Sequence, residues 1–166
     1  MEALSLPWHL SIHLFFALAS GYLVGLYFKK IEPGLLGGLL GGFFIDLDHV
    51  LEYFLVFGLR FNLFSFLEGQ QFLKSEQIFI LFHAWEYLPL LLILAWLVRR
   101  KRALMVFVLA LAFGLLVHLI SDCLINNYPP RNYSLLYRWQ VGFQAERILS
   151  PTQYQNFIEY KRYLGS

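Results

Sequence analysis

A stripe of glycines that runs into an acidic residue constrains the fold of this chain most. Gly34, Gly38 and Gly42 recur at every fourth position, and the next step of the stripe is Asp46. In an α-helix these four positions share one face. The stretch therefore predicts a close-packed helix seam that leads to a carboxylate, with a second acid and an imidazole shortly after it.

The composition places this stripe in a membrane protein. Of the 166 residues, 58% are apolar and only 14% are charged, whereas soluble domains are roughly half apolar and a quarter charged. The net charge of +2 gives no reason to expect a nucleic-acid partner. The single cysteine, Cys123, excludes an internal disulfide and a cysteine-only zinc site, and it is typical of a small packing residue.

Four apolar runs are long enough to cross a bilayer, which takes about 20 residues. They cover residues 6–28, a stretch that follows Pro33 and continues to about residue 59, residues 78–98 and residues 103–125. We therefore predict an all-α integral membrane bundle of four transmembrane helices, with its metal-binding domain in residues 1–130. The segment 61–77 and an amphipathic tail, residues 131–166, are predicted to lie at the membrane interface.

The basic residues predict an orientation in the membrane. Lysines at 29–30 and the basic cluster at 99–102 fall on the same side of four alternating spans, so the positive-inside rule places both termini outside. The first run is predicted to stay in the mature protein. A signal peptide begins with basic residues, whereas this run is preceded by the acidic Glu2 and by no lysine or arginine. We expect a prokaryotic inner or cell membrane.

Each predicted span delivers polar side chains to one layer of that membrane. At a rise of about 1.5 Å per residue, the relevant positions lie within about 10 Å of the outer surface. They are His13, Asp46, His83, His118 and Asp122. Ionisable residues inside a membrane are costly without a partner or an ion, which makes this layer a candidate functional site near the extracytoplasmic leaflet.

The donors in this layer predict a metal site. Imidazole nitrogens mixed with carboxylate oxygens suit Zn²⁺ best, with Mn²⁺ or Fe²⁺ as alternatives, and suit Mg²⁺ or Ca²⁺ less well. A catalytic site of this kind keeps one position open for water. More than four donors in one layer also leave room for two ions bridged by a carboxylate, so we expect one or two ions.

Three residues near the metal ligands are candidates for proton transfer: Glu86, His49 and Asp48. Asp46 and Asp48 point about 200° apart on a regular helix, so both can be ligands only if the helix breaks there. His49 follows Asp46 by three residues and can orient it, act as a base or bind the ion. Glu86 can be a ligand, a general base or the partner of a basic group.

Two further polar residues are assigned other roles. Glu52, one turn beyond Asp48, is expected at the rim of the site. His9 lies nearer the surface, and we expect it to anchor the membrane interface together with Trp8.

In type and order, these residues resemble a family of small inner-membrane metal-dependent hydrolases. The resemblance covers about residues 10–125 and rests on His13-Leu-Phe-Phe-Ala, Asp46-Leu-Asp48-His49, His83 and Gly114-Leu-Leu-Val-His118-Leu-Ile-Ser-Asp122. The order is also distantly similar to that of zinc-dependent phospholipase C. The resemblance implies metal ligation by His13, Asp46 or Asp48, His83, His118 and Asp122. Ile45 and Ala84 stand where the family has Pro and Ser.

We therefore expect a membrane-embedded hydrolase that cleaves a phosphoester of a lipid or lipid-linked substrate with metal-activated water. The non-hydrolytic alternatives are an ion-coupled transporter or its accessory subunit, a haem-binding electron-transfer bundle, and a catalytically silent module whose metal only pins helices. Haem ligation needs two histidines but no neighbouring carboxylates, so the carboxylates in this layer speak against a haem-binding bundle. A transporter needs polar groups across the whole membrane, whereas the inner halves of these spans are apolar apart from glycines.

Overall fold

The structure, a computed structural model, describes residues 6–165. Within them the regular elements are helices, which confirms the all-α prediction. In chain order the α-helices are α1 (Leu6–Tyr27), α2 (Ile31–Gly42), α3 (Leu47–Phe57), α4 (Leu63–Leu67), α5 (Gln70–Ser75), α6 (Tyr87–Leu97), α7 (Arg102–Ile125), α8 (Leu135–Gln140), α9 (Ala145–Ile148) and α10 (Pro151–Leu164).

Two of the described helices are long and apolar enough to cross a membrane. They are α1, over Trp8–Tyr27, and α7, over Arg102–Ile125. A third crossing results if α2 and the helical stretch Phe44–Phe57 form one bent span. These helices identify a membrane protein by length and composition, but among residues 6–165 they provide two or three complete spans rather than the four predicted.

The third predicted span, residues 78–98, is helical only over the 11 residues of α6. At about 1.5 Å per residue, α6 covers roughly half of a 30 Å hydrocarbon core. The apolar run before it, residues 78–82, is not helical, and short runs of this kind suit an extended chain as well as a helix. Pro89 lies in the first turn of α6, where a helix does not need its N–H.

The chain divides into two compact units. The helix-bundle unit contains residues 6–45 and 83–133, and it holds α1, α2, α6, α7 and a 3₁₀ turn at Pro130–Tyr133. The second unit contains residues 46–82 and 134–165, and it holds α3 to α5 and α8 to α10.

Glycines on two faces of α2 allow it to pack tightly against both α1 and α7. A Cβ added to Gly38 would lie 2.5 Å from the carbonyl oxygen of Ala17 on α1, and one added to Gly41 would lie 2.1 Å from that of Leu111 on α7. The close-packed seam predicted from the first glycine stripe is therefore confirmed. The stripe of Gly37 and Gly41, which faces α7, was not predicted from the sequence.

The α-helix breaks between α2 and α3. The α2 helix ends at Gly42, a 3₁₀ turn follows at Phe44–Asp46, and α3 begins at Leu47. The last carbonyl groups of any α-helix lack intrahelical partners, so the end of α2 offers hydrogen-bond acceptors to neighbouring side chains. The break predicted as the condition for a second aspartate ligand is thus present.

A buried acid and a buried arginine hold a non-helical segment in the second unit. The carboxylate of Glu52, which is 2% exposed, accepts hydrogen bonds from the N–H groups of Phe79 at 2.8 Å and Ile80 at 3.1 Å. Arg138, which is fully buried, donates to the carbonyl oxygen of Ile80 at 3.1 Å. Glu52, expected at the rim of the site, instead lies inside this unit. Its oxygens accept hydrogen bonds from backbone N–H groups that are not in a helix and therefore need other acceptors.

Candidate metal centre

Four of the predicted ligands come together inside the helix-bundle unit. His13 lies on α1, His118 and Asp122 lie one turn apart on α7, and His83 lies just before α6 begins. Their residues are between 0% and 4% exposed. A carboxylate so deeply buried needs a charged or hydrogen-bonding partner, and three imidazole rings provide one.

The donor atoms of these residues surround the carboxylate of Asp122. The Nε2 of His13 lies 3.1 Å from Oδ1, whereas the Nε2 atoms of His118 and His83 lie 3.3 Å and 3.5 Å from Oδ2. The Nε2 atoms of His83 and His118 are 2.9 Å apart. Ligands bound tetrahedrally to Zn²⁺ at 2.0–2.1 Å are about 3.3 Å apart. The atoms of His83, His118 and Asp122 are thus spaced as ligands of one ion.

The ring orientation of His118 is set by the break at the end of α2. Its Nδ1 lies 3.0 Å from the carbonyl oxygen of Gly42, which can only accept a hydrogen bond. Nδ1 therefore carries the proton of that bond, and when the ring is neutral its lone pair lies on Nε2, the nitrogen that faces Asp122 and His83. Metal-binding histidines commonly donate their second ring nitrogen to a backbone carbonyl in this way.

His9, expected to be an interfacial anchor, lies beside this cluster. Its Nε2 is 2.9 Å from the Nε2 of His13 and 3.7 Å from Oδ1 of Asp122. The His9 side chain is 22% exposed, so it forms the edge of the cluster nearest to solvent or headgroups. The spacing of four residues between His9 and His13 puts both rings on one face of α1, and this was the signal that could have included His9.

Tyr133 lies against the cluster and was predicted only as part of the tail. Its ring centroid is 6.2 Å from that of His83, and its carbonyl oxygen accepts a hydrogen bond from the N–H of Trp85 at 3.1 Å. Its hydroxyl accepts a bond from Asn126 at 3.2 Å. Burial, and secondarily the negative charge of Asp122, raise the pKa of the Tyr133 phenol above its ordinary value, so the ring stays neutral beside the cluster.

The remaining predicted site residues are distributed over both units. In the second unit, Asp48 is buried and its Oδ2 accepts a hydrogen bond from the N–H of Phe82 at 2.8 Å. In the same unit, Asp46 and His49 are half-buried, and the Nε2 of His49 lies 3.8 Å from Oδ1 of Asp46. Glu86 is half-buried in the helix-bundle unit and directly precedes α6. The roles predicted for these residues remain predictions.

The cluster in the helix-bundle unit suits a cation, although its atoms also form an ion-pair network when an imidazole is protonated. The Oδ1 of Asp122 is buried, and two imidazole nitrogens, those of His9 and His13, lie within 4 Å of it. Nε2–Nε2 contacts of 2.9 Å between neutral rings also require one nitrogen of each pair to carry a proton. A cation could accept the lone pairs of the imidazole nitrogens and carboxylate oxygen in either of these groups.

Comparisons of the chain with protein-family models, with curated proteins and with solved structures found no match.

Proposed function

We propose that this protein is a membrane-embedded, metal-dependent hydrolase that cleaves a phosphoester of a lipid or lipid-linked substrate. The observation that carries the proposal is the convergence of His13, His83, His118 and Asp122 in one buried cluster of a chain with membrane-spanning helices. Intramembrane ionisable groups mark functional sites in general, and a cluster of imidazoles around a carboxylate is typical of hydrolytic metal centres.

The residues of the cluster divide the work of holding an ion. His83, His118 and Asp122 would ligate it, with Zn²⁺ the first choice and Mn²⁺ or Fe²⁺ the alternatives. The carbonyl of Gly42 keeps the Nε2 lone pair of His118 directed into the site. An ion bound there supplies Lewis acidity and lowers the pKa of a bound water, which is the chemistry that phosphoester hydrolysis requires.

The depth of the cluster supports a lipid substrate. His118 is seven residues before the end of α7 at Ile125, which is about 10 Å along the helix. The interfacial region that holds the phosphate and ester groups of a membrane lipid is about 5–8 Å thick, so a site about 10 Å deep lies just beneath these groups. We propose that the site faces the extracytoplasmic leaflet, and that four chain segments lie in the membrane, with the short α6 as one of them.

Proton transfer is assigned by proposal to Glu86, His49 or Asp48. A general acid is needed to protonate the leaving group or a general base to deprotonate the attacking water. Glu86 follows the proposed ligand His83 by three residues, and Asp48 and His49 follow Asp46 at the end of the glycine stripe. Replacing each one by alanine would lower turnover without removing the ion if that residue transfers a proton. If the residue is instead a ligand, its alanine variant would lose both the ion and the turnover.

The test is metal analysis of the purified protein followed by a lipid hydrolysis assay. We expect stoichiometric metal and release of the phosphate headgroup in the wild type, and loss of both in His118→Ala and Asp122→Ala. Cys123→Ala is the matched control, because this half-buried residue adjoins Asp122. A wild-type protein that takes up no metal from Zn²⁺ solution would overturn the proposal. Bound metal without turnover on a broad lipid panel would overturn its hydrolytic part and favour the silent module.

A further inference from the structure

The two oxygens of Asp122 face two different pairs of histidines. Oδ2 lies 3.3 Å from the Nε2 of His118 and 3.5 Å from that of His83. Oδ1 lies 3.1 Å from the Nε2 of His13 and 3.7 Å from that of His9. The carboxylate therefore stands between two N–N–O triangles that share no atom.

Both triangles have the size of one face of a metal coordination tetrahedron. In the first, the Nε2 atoms of His83 and His118 are 2.9 Å apart, and in the second, those of His9 and His13 are also 2.9 Å apart. With these edges, a single ion can lie about 2.0–2.1 Å from all three atoms of either triangle, which is the usual Zn–N distance. Each triangle is also a group whose ligand atoms all lie within 4.8 Å of one another.

The rings that serve the two triangles lie side by side. His13 and His118 are stacked, with ring centroids 4.1 Å apart and an angle of 30° between their planes. The Nε2 of His13 faces Oδ1 of Asp122, and the Nε2 of His118 faces Oδ2. Ions bound at these two nitrogens would therefore lie next to each other. Catalytic two-metal sites place their ions about 3.5–4 Å apart, a separation similar to this ring stacking distance.

From these observations we infer that the cluster holds two divalent cations, one on each oxygen of Asp122, and that His9 completes the second position together with His13. The inference rests on the proposed function for the first ion and extends the site to a residue that the sequence assigned to the interface. Because His9 is the most exposed of the four rings, the second position is the more accessible one and binds the more exchangeable ion.

The experiment counts ions in the full-length protein purified in detergent and loaded with Zn²⁺. We expect two ions per chain in the wild type and one in His9→Ala, with unchanged helix content. Leu10→Ala is the matched control, because Leu10 adjoins His9, is exposed and offers no donor atom, so it should retain two ions. His9→Asn, which keeps a polar side chain without an imidazole, should also bind one ion.

A second measurement reports the sharing of Asp122 directly. After loading with Mn²⁺, electron paramagnetic resonance should show a coupled pair in the wild type and an isolated ion in His9→Ala. If the wild type binds one ion, His9→Ala also binds one and His118→Ala binds none, the second position is overturned and the proposed function stands. Two ions in His9→Ala would exclude His9 as a ligand. No ion in the wild type would overturn the proposed function as well.

Discussion

The buried carboxylates of the two units satisfy their lone pairs in different ways. In the second unit, Glu52 and Asp48 accept hydrogen bonds from main-chain N–H groups of Phe79, Ile80 and Phe82. In the helix-bundle unit, Asp122 is surrounded by imidazole nitrogens. Main-chain donors hold a segment in place, whereas imidazole lone pairs can also bind a cation. The partner of a buried acid therefore says more about its role than its burial does.

The largest effect is expected from removing the acid that the imidazoles surround. Asp122→Asn takes away the negative charge and one carboxylate oxygen, and we expect metal affinity to fall by at least about a hundredfold, because loss of an outer-shell partner alone costs 10–100-fold. Equilibrium dialysis with Zn²⁺ measures this affinity, with Cys123→Ala as the control. Unchanged Zn²⁺ affinity in Asp122→Asn would show that a carboxylate surrounded by imidazoles does not bind the ion, and would contradict the comparison with Glu52 and Asp48.

A smaller effect is expected at the seam that brings the imidazoles together. Gly41→Ala would place a Cβ against the carbonyl oxygen of Leu111, and relief of this overlap moves α2 away from α7. We expect a loss of about 2–3 kcal/mol in the free energy of unfolding, the usual cost of overpacking. Thermal unfolding in detergent measures it, and Leu40→Ala, at an exposed position of α2, is the control. Equal stability of Gly41→Ala and the wild type would show that the helices are not in close contact.

The second unit should respond in stability but not in metal content. Glu52→Gln weakens two charge-assisted hydrogen bonds, to Phe79 and Ile80, and each such bond contributes about 1.5–3 kcal/mol. We expect a net loss of about 2 kcal/mol, because the amide oxygen still accepts one of them. Metal counting on the same sample should match the wild type. A variant that loses its metal while keeping its stability would give Glu52 the role here assigned to Asp122.

The smallest effect is expected at Tyr133, which lies against the cluster but contributes no ligand. Tyr133→Phe removes one hydrogen bond, to Asn126, and typical bonds of this kind contribute about 1 kcal/mol. We expect that loss in the unfolding free energy and full retention of metal. Asn126→Ala should lower stability by a similar amount, and combining the two changes should cost little more than either alone. Loss of metal in Tyr133→Phe would instead assign the phenol a direct part in the site.

The helical class, the membrane location and four candidate ligands could be predicted from the sequence, because apolar runs and ionisable residues inside them are local patterns. Runs of apolar residues and small residues at every fourth position determine helices and their contact faces. The same patterns wrongly predicted a helix over residues 78–86, since an apolar run does not by itself distinguish a helix from irregular structure. Three main-chain N–H groups of this segment bond to the buried carboxylates of Glu52 and Asp48 instead of to helix carbonyls, and a local pattern does not show such tertiary contacts.

The position of His9 was missed for a related reason. Its position along α1 predicted only a place nearer the surface, and depth alone does not show which neighbours a ring contacts. The contact with His13 follows from the helical spacing of the two rings, and the contact with Asp122 requires the close packing of α1 and α7. Contacts between distant parts of a chain depend on packing distances, which periodicity does not provide.

The hydrogen bond from His118 to Gly42 ties the site to the length of α2. Because the acceptor is a main-chain oxygen, no side-chain replacement deletes it, and the lipid-facing positions of α2 are free to vary. Inserting or deleting one residue between the glycine seam and the end of the helix would rotate the final carbonyl by about 100° around the axis. This helix should therefore tolerate substitutions at its outward positions while its residue count stays fixed.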